Sequence, residues 1–233
     1  EHNIRKGVKN MSTFRFAIMG AGNIAHQFCD AVTLVEDCEV SAIASKDLGR
    51  AQKFAEECSV AHAYDNYEQM LIEEKPDCVY IAVTPNDHFR LTMLCLEHRV
   101  PVLCEKAMFT NSAEAKAVFE KAEKDQTFVM EAMWSRFLPA VNQAKKWAAE
   151  GKIGRLEALQ GRIGFLAPEG ADNRYHSPLL CGGAATDITV YAYEIATWLV
   201  NEPVRKTYAA ANLDQTGVDL TDQVTVKFEH VLA

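Results

Sequence analysis

No run of apolar residues in this 233-residue chain approaches the ~18 needed to cross a bilayer, and no signal-peptide pattern opens it. No C-x-x-C pair occurs either. The seven cysteines (29, 38, 58, 78, 95, 104 and 181) are scattered, mostly within apolar patterns. That distribution argues against a zinc site or a disulfide framework and for small buried thiols in a reducing, cytoplasmic compartment. Basic excess is absent as well: 24 Lys and Arg stand against 32 Asp and Glu, for a net charge of −8. With no basic stripe, the charge argues against a nucleic-acid backbone as a partner, and no membrane surface is expected. Internal repeats and low-complexity segments are missing. What is present is a 48 % hydrophobic chain, enough for a real core in one large domain or two small ones. Residues 1–12, polar up to Met11, read as a leader or expression remnant outside the fold.

From Phe14 onward, short apolar runs alternate with helix-period segments. Strands are expected at "FRFAIMG", "EVSAIAS" (39–45), "AHAY" (61–64), "CVYIAV" (78–83), the apolar residues of "PVLCEKAM" (101–108), and "TFVMEAM" (127–133). Helices are expected between them, over 23–35, 48–58, 67–74, about 88–99, and 112–126. Strand and helix alternating at this spacing predict a parallel sheet covered on both faces. Past Trp134 the pattern changes. A helix near 139–150 gives way to a long polar extended run, "RLEALQGRIGF" (155–165), then a helix over 184–199 and extended runs over 204–213 and 222–230. Longer strands with one solvated face predict a second, α+β domain whose open sheet is mainly antiparallel. The expected organisation is a doubly wound dinucleotide-binding domain over 13–133 and a substrate and oligomerisation domain over 134–233. Because the last strand falls at the end of the chain, the second sheet is expected to be C-terminally truncated or its edge covered by something else.

"FAIMGAGNIAHQF" places Gly20, Gly22 and Ala25 between the first strand and the first helix. Gly20 permits the tight turn, Gly22 lets the backbone approach a pyrophosphate, and Ala25 is small enough for close helix–strand packing. The helix N-terminus then favours negative charge, so a dinucleotide is expected against Gly20, Gly22, Asn23 and Ile24. The second strand ends Ala44-Ser45-Lys46-Asp47. A hydroxyl and an ammonium at Ser45 and Lys46 suit a 2′-phosphate, which favours NADP. The alternative is a solvated Lys46 with Asp47 accepting from the ribose hydroxyls, as NAD would need.

The fifth strand raises a question of its own, because it ends by delivering two ions, Glu105 and Lys106. Burying either unpaired costs several kcal/mol or more. "GAGNIA", "CEKAM" and "GGAATDITVYAYEIATWL", in this order and spacing, resemble the Gfo/Idh/MocA family of oxidoreductases. "VMEAMWSRF" and "GVDLTDQVTVKFEH" are similar to its dimeric dihydrodiol dehydrogenase branch. The resemblance runs from about Thr13 to the C-terminus.

It implies that Lys106 reaches the substrate oxygen beside the nicotinamide and stabilises developing alkoxide, with Glu105 near the cofactor. Thr84, Asn86 and His88 then also belong to the cofactor site, though His88 equally reads as a helix N-terminal residue with no catalytic task. Ala107 stands where the family usually has proline. In the second motif, Gly182-Gly183, Asp187 and Tyr191, a spacing of four puts Asp187 and Tyr191 on one helix face. The resemblance makes Tyr191 the general acid/base and Asp187 an orienting group. The other reading of Tyr191 is packing with Tyr193 and Trp198 in a helix interface.

Trp134 resembles the aromatic wall of a substrate pocket, with Arg136 and Phe165 in the same cavity and Arg174 and His176 within reach of substrate; the other reading of Trp134 is an indole packed in the core. The resemblance implies an NAD(P)-dependent dehydrogenase or reductase acting on a polyol, sugar or cyclic diol. It also implies a homo-oligomer, dimer or tetramer, formed through the C-terminal sheet. The rival expectation is a sensor that keeps the nucleotide fold without turnover.

Overall fold

The computed structural model describes residues 13–168, 170 and 173–233; the leader expected over 1–12 lies outside the described residues. By their contacts these residues form two compact units. One comprises the described chain up to Val83, Asp87–Glu105 and Ser112–Met130. The other comprises Thr84–Asn86, Lys106–Asn111 and Glu131–Ala233.

The first unit is built on six strands: β1 (Phe14–Met19), β2 (Cys38–Ala44), β3 (His62–Tyr64), β4 (Cys78–Ile81), β5 (Val102–Cys104) and β6 (Val129–Glu131). Their order in the sheet is β3-β2-β1-β4-β5-β6, with parallel pairing from β3 through β5. This is the doubly wound order of dinucleotide-binding sheets, as the alternation of strand and helix predicted. The apolar runs are fully buried in the sheet: Ile18, Ile43, Val79, Ile81 and Val102 have no exposed surface. Each such side chain contributes about 1.5–3 kcal/mol of burial.

The helices between the strands are α1 (Asn23–Val32), α2 (Leu48–Cys58), α3 (Tyr67–Glu74), α4 (Pro85–Glu97) and α5 (Ser112–Asp125). Local chemistry sets their ends. Asp47 and Asn66 cap α2 and α3 by accepting from the amides of Arg50 and Gln69. α3 stops at Lys75, in left-handed conformation, one residue before Pro76.

The second unit contains a 3₁₀ turn (Trp134–Phe137), α6 (Pro139–Ala149), a π-helical turn (Ala185–Thr189) running directly into α7 (Val190–Val200), and two antiparallel strands, β7 (Lys206–Leu213) and β8 (Asp219–Lys227). Val226, Phe228 and Val231 form a buried cluster in it, with Leu156 and Val200 packed against them. The extended run 155–165 is not a regular strand. Its named main-chain pairing is with Leu232, through Glu157, Ala158 and Leu159. A period-two pattern needs a paired neighbour along its whole length to become a ladder, and none of the described strands is paired with it. Every residue of β7 is exposed. Among the described residues no helix is long and apolar enough to cross a membrane.

Candidate functional site

In the first unit the glycine loop joins β1 to α1. Gly20 adopts a φ of +110°, and a Cβ there would stand 2.7 Å from the Ala82 carbonyl oxygen, so only glycine fits. At Gly22 the nearest atom to a built Cβ is 4.0 Å away, which leaves open space in front of the loop. Gly22 caps α1 in extended conformation, with no side chain bonded to the helix end and no acidic residue in the first turn. Among the described residues, the first amides of α1, from Asn23 and Ile24 on, thus have neither a side-chain cap nor a carboxylate of their own turn. These features fit a bound pyrophosphate.

His26, one turn into α1, holds the Gly22 carbonyl through Nδ1 and Glu57 through Nε2, both at 3.0 Å. The bond to Gly22 and then the Glu57 carboxylate raise the imidazole above its ordinary value. A raised folded value means that this contribution to stability is full below about pH 6.5 and fades as pH rises through the folded midpoint. An NMR titration should find the His26 ring titrating above the ordinary imidazole range, and Glu57→Gln should bring the midpoint down. A His26 midpoint that Glu57→Gln leaves in place would refute the pairing.

At the end of β2, Ser45 is buried, and its Oγ accepts from the Asp47 amide at 3.4 Å. Lys46 does not simply face solvent: its Nζ lies 2.5 Å from Asp87 Oδ2, near the start of α4. Burial on its own would raise the Asp87 carboxyl, but the Lys46 ammonium and then Arg90 more than offset that and hold it below the ordinary carboxylate range. Asp47 is engaged as the α2 cap at 2.8 Å. Arg50, which the sequence did not single out, extends its guanidinium to the Ala21 carbonyl of the glycine loop at 3.3 Å. Glu105 is buried and accepts from the Tyr80 hydroxyl at 2.5 Å. His88 is fully buried with Nε2 at 3.0 Å from the Val83 carbonyl. Thr84 and Asn86 fall in the second unit.

The second unit brings together three of the residues singled out for chemistry. Lys106 Nζ donates to the main-chain carbonyl of Asp187 at 2.6 Å and stands 3.4 Å from its Oδ1. The same ammonium lies 5.2 Å from the centroid of the Tyr191 ring, a cation–π distance. The Lys106–Ala107 peptide bond is cis. Asp187 lies in the π-helical turn and Tyr191 at the start of α7, so the helical register is stretched between them. Such π turns recur at functional sites.

Arg174 donates to Asp187 Oδ1 at 2.9 Å, and its guanidinium carbon sits 4.0 Å over the Tyr175 ring. Phe165 packs edge-to-face with the same ring, at 5.3 Å between centroids. The Trp134 indole N–H donates to the Tyr191 hydroxyl at 3.0 Å. Arg136 is drawn elsewhere, onto Glu194 and over the Trp198 ring. His176 pairs with Asp214 at 2.9 Å. Two hydrogen bonds, first from Thr216 and then from His176, bring Asp214 down to about 2.

Residues 14–133 match a family described as an oxidoreductase family with an NAD-binding Rossmann fold, and residues 141–233 match the C-terminal domain of the same GFO/IDH/MocA group. The chain belongs to this family. Among curated relatives, the trans-1,2-dihydrobenzene-1,2-diol dehydrogenase of Mus musculus is 31 % identical over 220 residues, covering 92 % of this chain and 65 % of its own length. The protein of the same name from Danio rerio is 31 % identical over 225 residues, covering 94 % of this chain and 66 % of its own. This family member thus spans about 65 % of the mouse relative.

Two solved structures share the fold. A point mutant of a 3-ketoreductase from Actinomadura kijaniata, in complex with TDP-benzene and NADP, has a TM-score of 0.88 at 23 % identity, over 95 % of this chain and 69 % of its own. A probable dehydrogenase from Thermotoga maritima has a TM-score of 0.81 at 22 % identity, over 94 % and 67 %.

Asp87, Arg50 and Glu194 were the residues that sequence reasoning passed over. A signal existed for Glu194: it is the lone charge in the apolar stretch "VYAYEIATWLV". A carboxylate in such surroundings is almost never buried unless paired.

Proposed function

We propose that this protein is an NAD(P)-dependent oxidoreductase that moves hydride between nicotinamide and a secondary alcohol, or its carbonyl, on a sugar, polyol or cyclic diol. The observation that carries this reading is the meeting of Lys106, Asp187 and Tyr191, with the ammonium 5.2 Å from the phenol ring. NADP(H), when bound, supplies or accepts the hydride.

The other tasks fall to side chains of this chain. Lys106 holds the substrate oxygen by hydrogen bonding and stabilises negative charge as it develops there. Asp187 fixes the direction of the ammonium through two oxygens. In oxidation, Tyr191 takes the proton from the substrate hydroxyl; in reduction, it returns one to the nascent alkoxide. Trp134, Phe165 and Arg174 are the proposed substrate contacts. Arg136, held on Glu194, supports the wall from behind. Gly20, Gly22, Asn23 and Ile24 receive the pyrophosphate, while Ser45 and Lys46 receive the ribose end, Lys46 exchanging Asp87 for a 2′-phosphate. Thr84, Asn86, His88 and Glu105 complete the proposed nicotinamide side. The names of the mouse relative and of the Actinomadura reductase, each an enzyme of carbinol or ketone chemistry, support the substrate class. A homo-oligomer formed through the second unit's sheet is part of the same proposal.

A screen of pentoses, hexoses, inositols and cyclic diols with NADP⁺ tests this directly, with absorbance of the reduced cofactor as readout. At least one class should turn over. In parallel, a fluorescence titration should find NADPH bound more tightly than NADH. Equal affinities would discard the assignment of Ser45 and Lys46 to a 2′-phosphate. Tight binding with no turnover on any class would move the protein to a sensing role.

A further inference from the structure

The Tyr191 hydroxyl has a partner whose chemistry runs in one direction. An indole N–H can donate and cannot accept. In the 3.0 Å bond between Trp134 Nε1 and Tyr191 Oη, the phenol oxygen must therefore be the acceptor. Donation to a phenol oxygen is stronger when that oxygen is ionised, so the bond favours phenolate over phenol. It also aims the phenol's own proton at some other acceptor, as an acid serving a substrate oxygen requires.

The donor is held by a buried clamp. Trp134 opens the 3₁₀ turn, and the next two residues, Ser135 and Arg136, both donate to the Glu194 carboxylate, Ser135 Oγ at 2.7 Å. Glu194 is 6 % exposed and Ser135 4 %. Glu194 lies three residues beyond Tyr191 on α7, on the same helix face. A single carboxylate thus ties the turn bearing the indole to the helix bearing the phenol. The edge-to-face arrangement of the two rings, with centroids 6.2 Å apart, fits this restraint.

We propose that Trp134 is the hydrogen-bond donor that sets the ionisation of Tyr191, and that Glu194 is the positioning residue that holds Trp134 in place. This rests on the reading of Tyr191 as the acid/base. Among the described residues, the charged groups linked to the phenol or to its donor are Lys106 on the loop after β5, Asp187 and its partner Arg174 before α7, and Glu194 with Arg136, which hold the 3₁₀ turn. Lys145 of α6 is engaged with Trp198, 3.1 Å from the centroid of that ring. Lys106 and Trp134 both favour phenolate. Asp187 opposes it, with its charge shared between Lys106 and Arg174.

The test is a phenolate absorbance titration of the full chain, in which subtracting the same background carrying Tyr191→Phe isolates the one phenol. Trp134→Phe should move the Tyr191 midpoint up by roughly half a unit to one unit, since the bond is partly open to water. Trp134→Gln, whose amide can also donate, should recover part of that shift. Ser135→Ala loosens the clamp with little loss of bulk and should give a smaller shift in the same direction, which keeps the test alive should Trp134→Phe fold poorly. The alkaline limb of kcat/KM for carbonyl reduction should move with the phenol.

An unchanged Tyr191 midpoint in Trp134→Phe overturns the proposal. So does a pure rise in KM at every pH, which would make Trp134 a substrate wall and nothing more. A phenol that shifts while the rate profile ignores it overturns the assignment of proton transfer to Tyr191, and the two failures are thereby told apart.

Discussion

Lys106→Met should lower kcat about 10²–10³-fold while NADPH affinity stays nearly that of the parent protein. Methionine keeps the length and much of the apolar stem of lysine but carries no charge and no donor. In the proposed mechanism the ammonium matters most when negative charge grows on the substrate oxygen, so its loss falls on the transition state and much less on the ground state. Asp187 is not stranded by the change, because Arg174 still donates to its Oδ1 at 2.9 Å. The fold should therefore persist, and circular dichroism checks that it does. Turnover with the best substrate of the screen and a fluorescence titration with NADPH separate the two effects. A fully active variant removes the lysine from the mechanism. A variant that has lost NADPH as well assigns the residue to cofactor binding.

Tyr191→Phe should cost about 10²–10⁴-fold in turnover and, for carbonyl reduction, remove the alkaline limb of the pH–rate profile. The sign follows from the role: in reduction the phenol must carry its proton, so the rate falls as pH rises through its midpoint. A phenol ordinarily titrates near 10. The Lys106 ammonium lies 5.2 Å from its ring centre and the Trp134 indole donates to its oxygen, the two contacts that the proposal assigns to the ionised form. Phenylalanine preserves the ring and its contact with Lys106, so packing and cation–π attraction survive while the proton is lost. An unaltered profile in Tyr191→Phe would hand proton transfer to another group, such as His176, the histidine that pairs with Asp214 in the same unit.

The β/α alternation and the glycine loop were legible from residue order alone because both are local. A buried parallel strand is a short apolar run, and a helix that covers it has one apolar stripe. A turn that needs a positive φ and close approach needs glycine where Gly20 stands, at +110°. The helices expected over 48–58 and 67–74 match α2 and α3 end to end, since Asp47, Asn66 and Pro76 punctuate them. The segment 155–165 shows the limit of that reasoning. Its alternation is strand-like, yet a strand exists only if another chain segment supplies the partners, and those partners are distant in sequence. Lys46 makes the same point on a smaller scale: its type suggested an anion, and which anion it meets, Asp87, depends on how α4 is placed.

The sequence by itself determined a doubly wound sheet, a glycine turn at its first crossover, and a lysine delivered just after the fifth strand, because periodicity and turn chemistry act over a few residues. Tertiary structure alone decided that this lysine meets Asp187, 81 residues away, that the Tyr191 hydroxyl accepts from Trp134, 57 residues away, and that Glu194 holds the turn between them. Side-chain partners across such distances are selected by packing of whole elements, which no local pattern encodes.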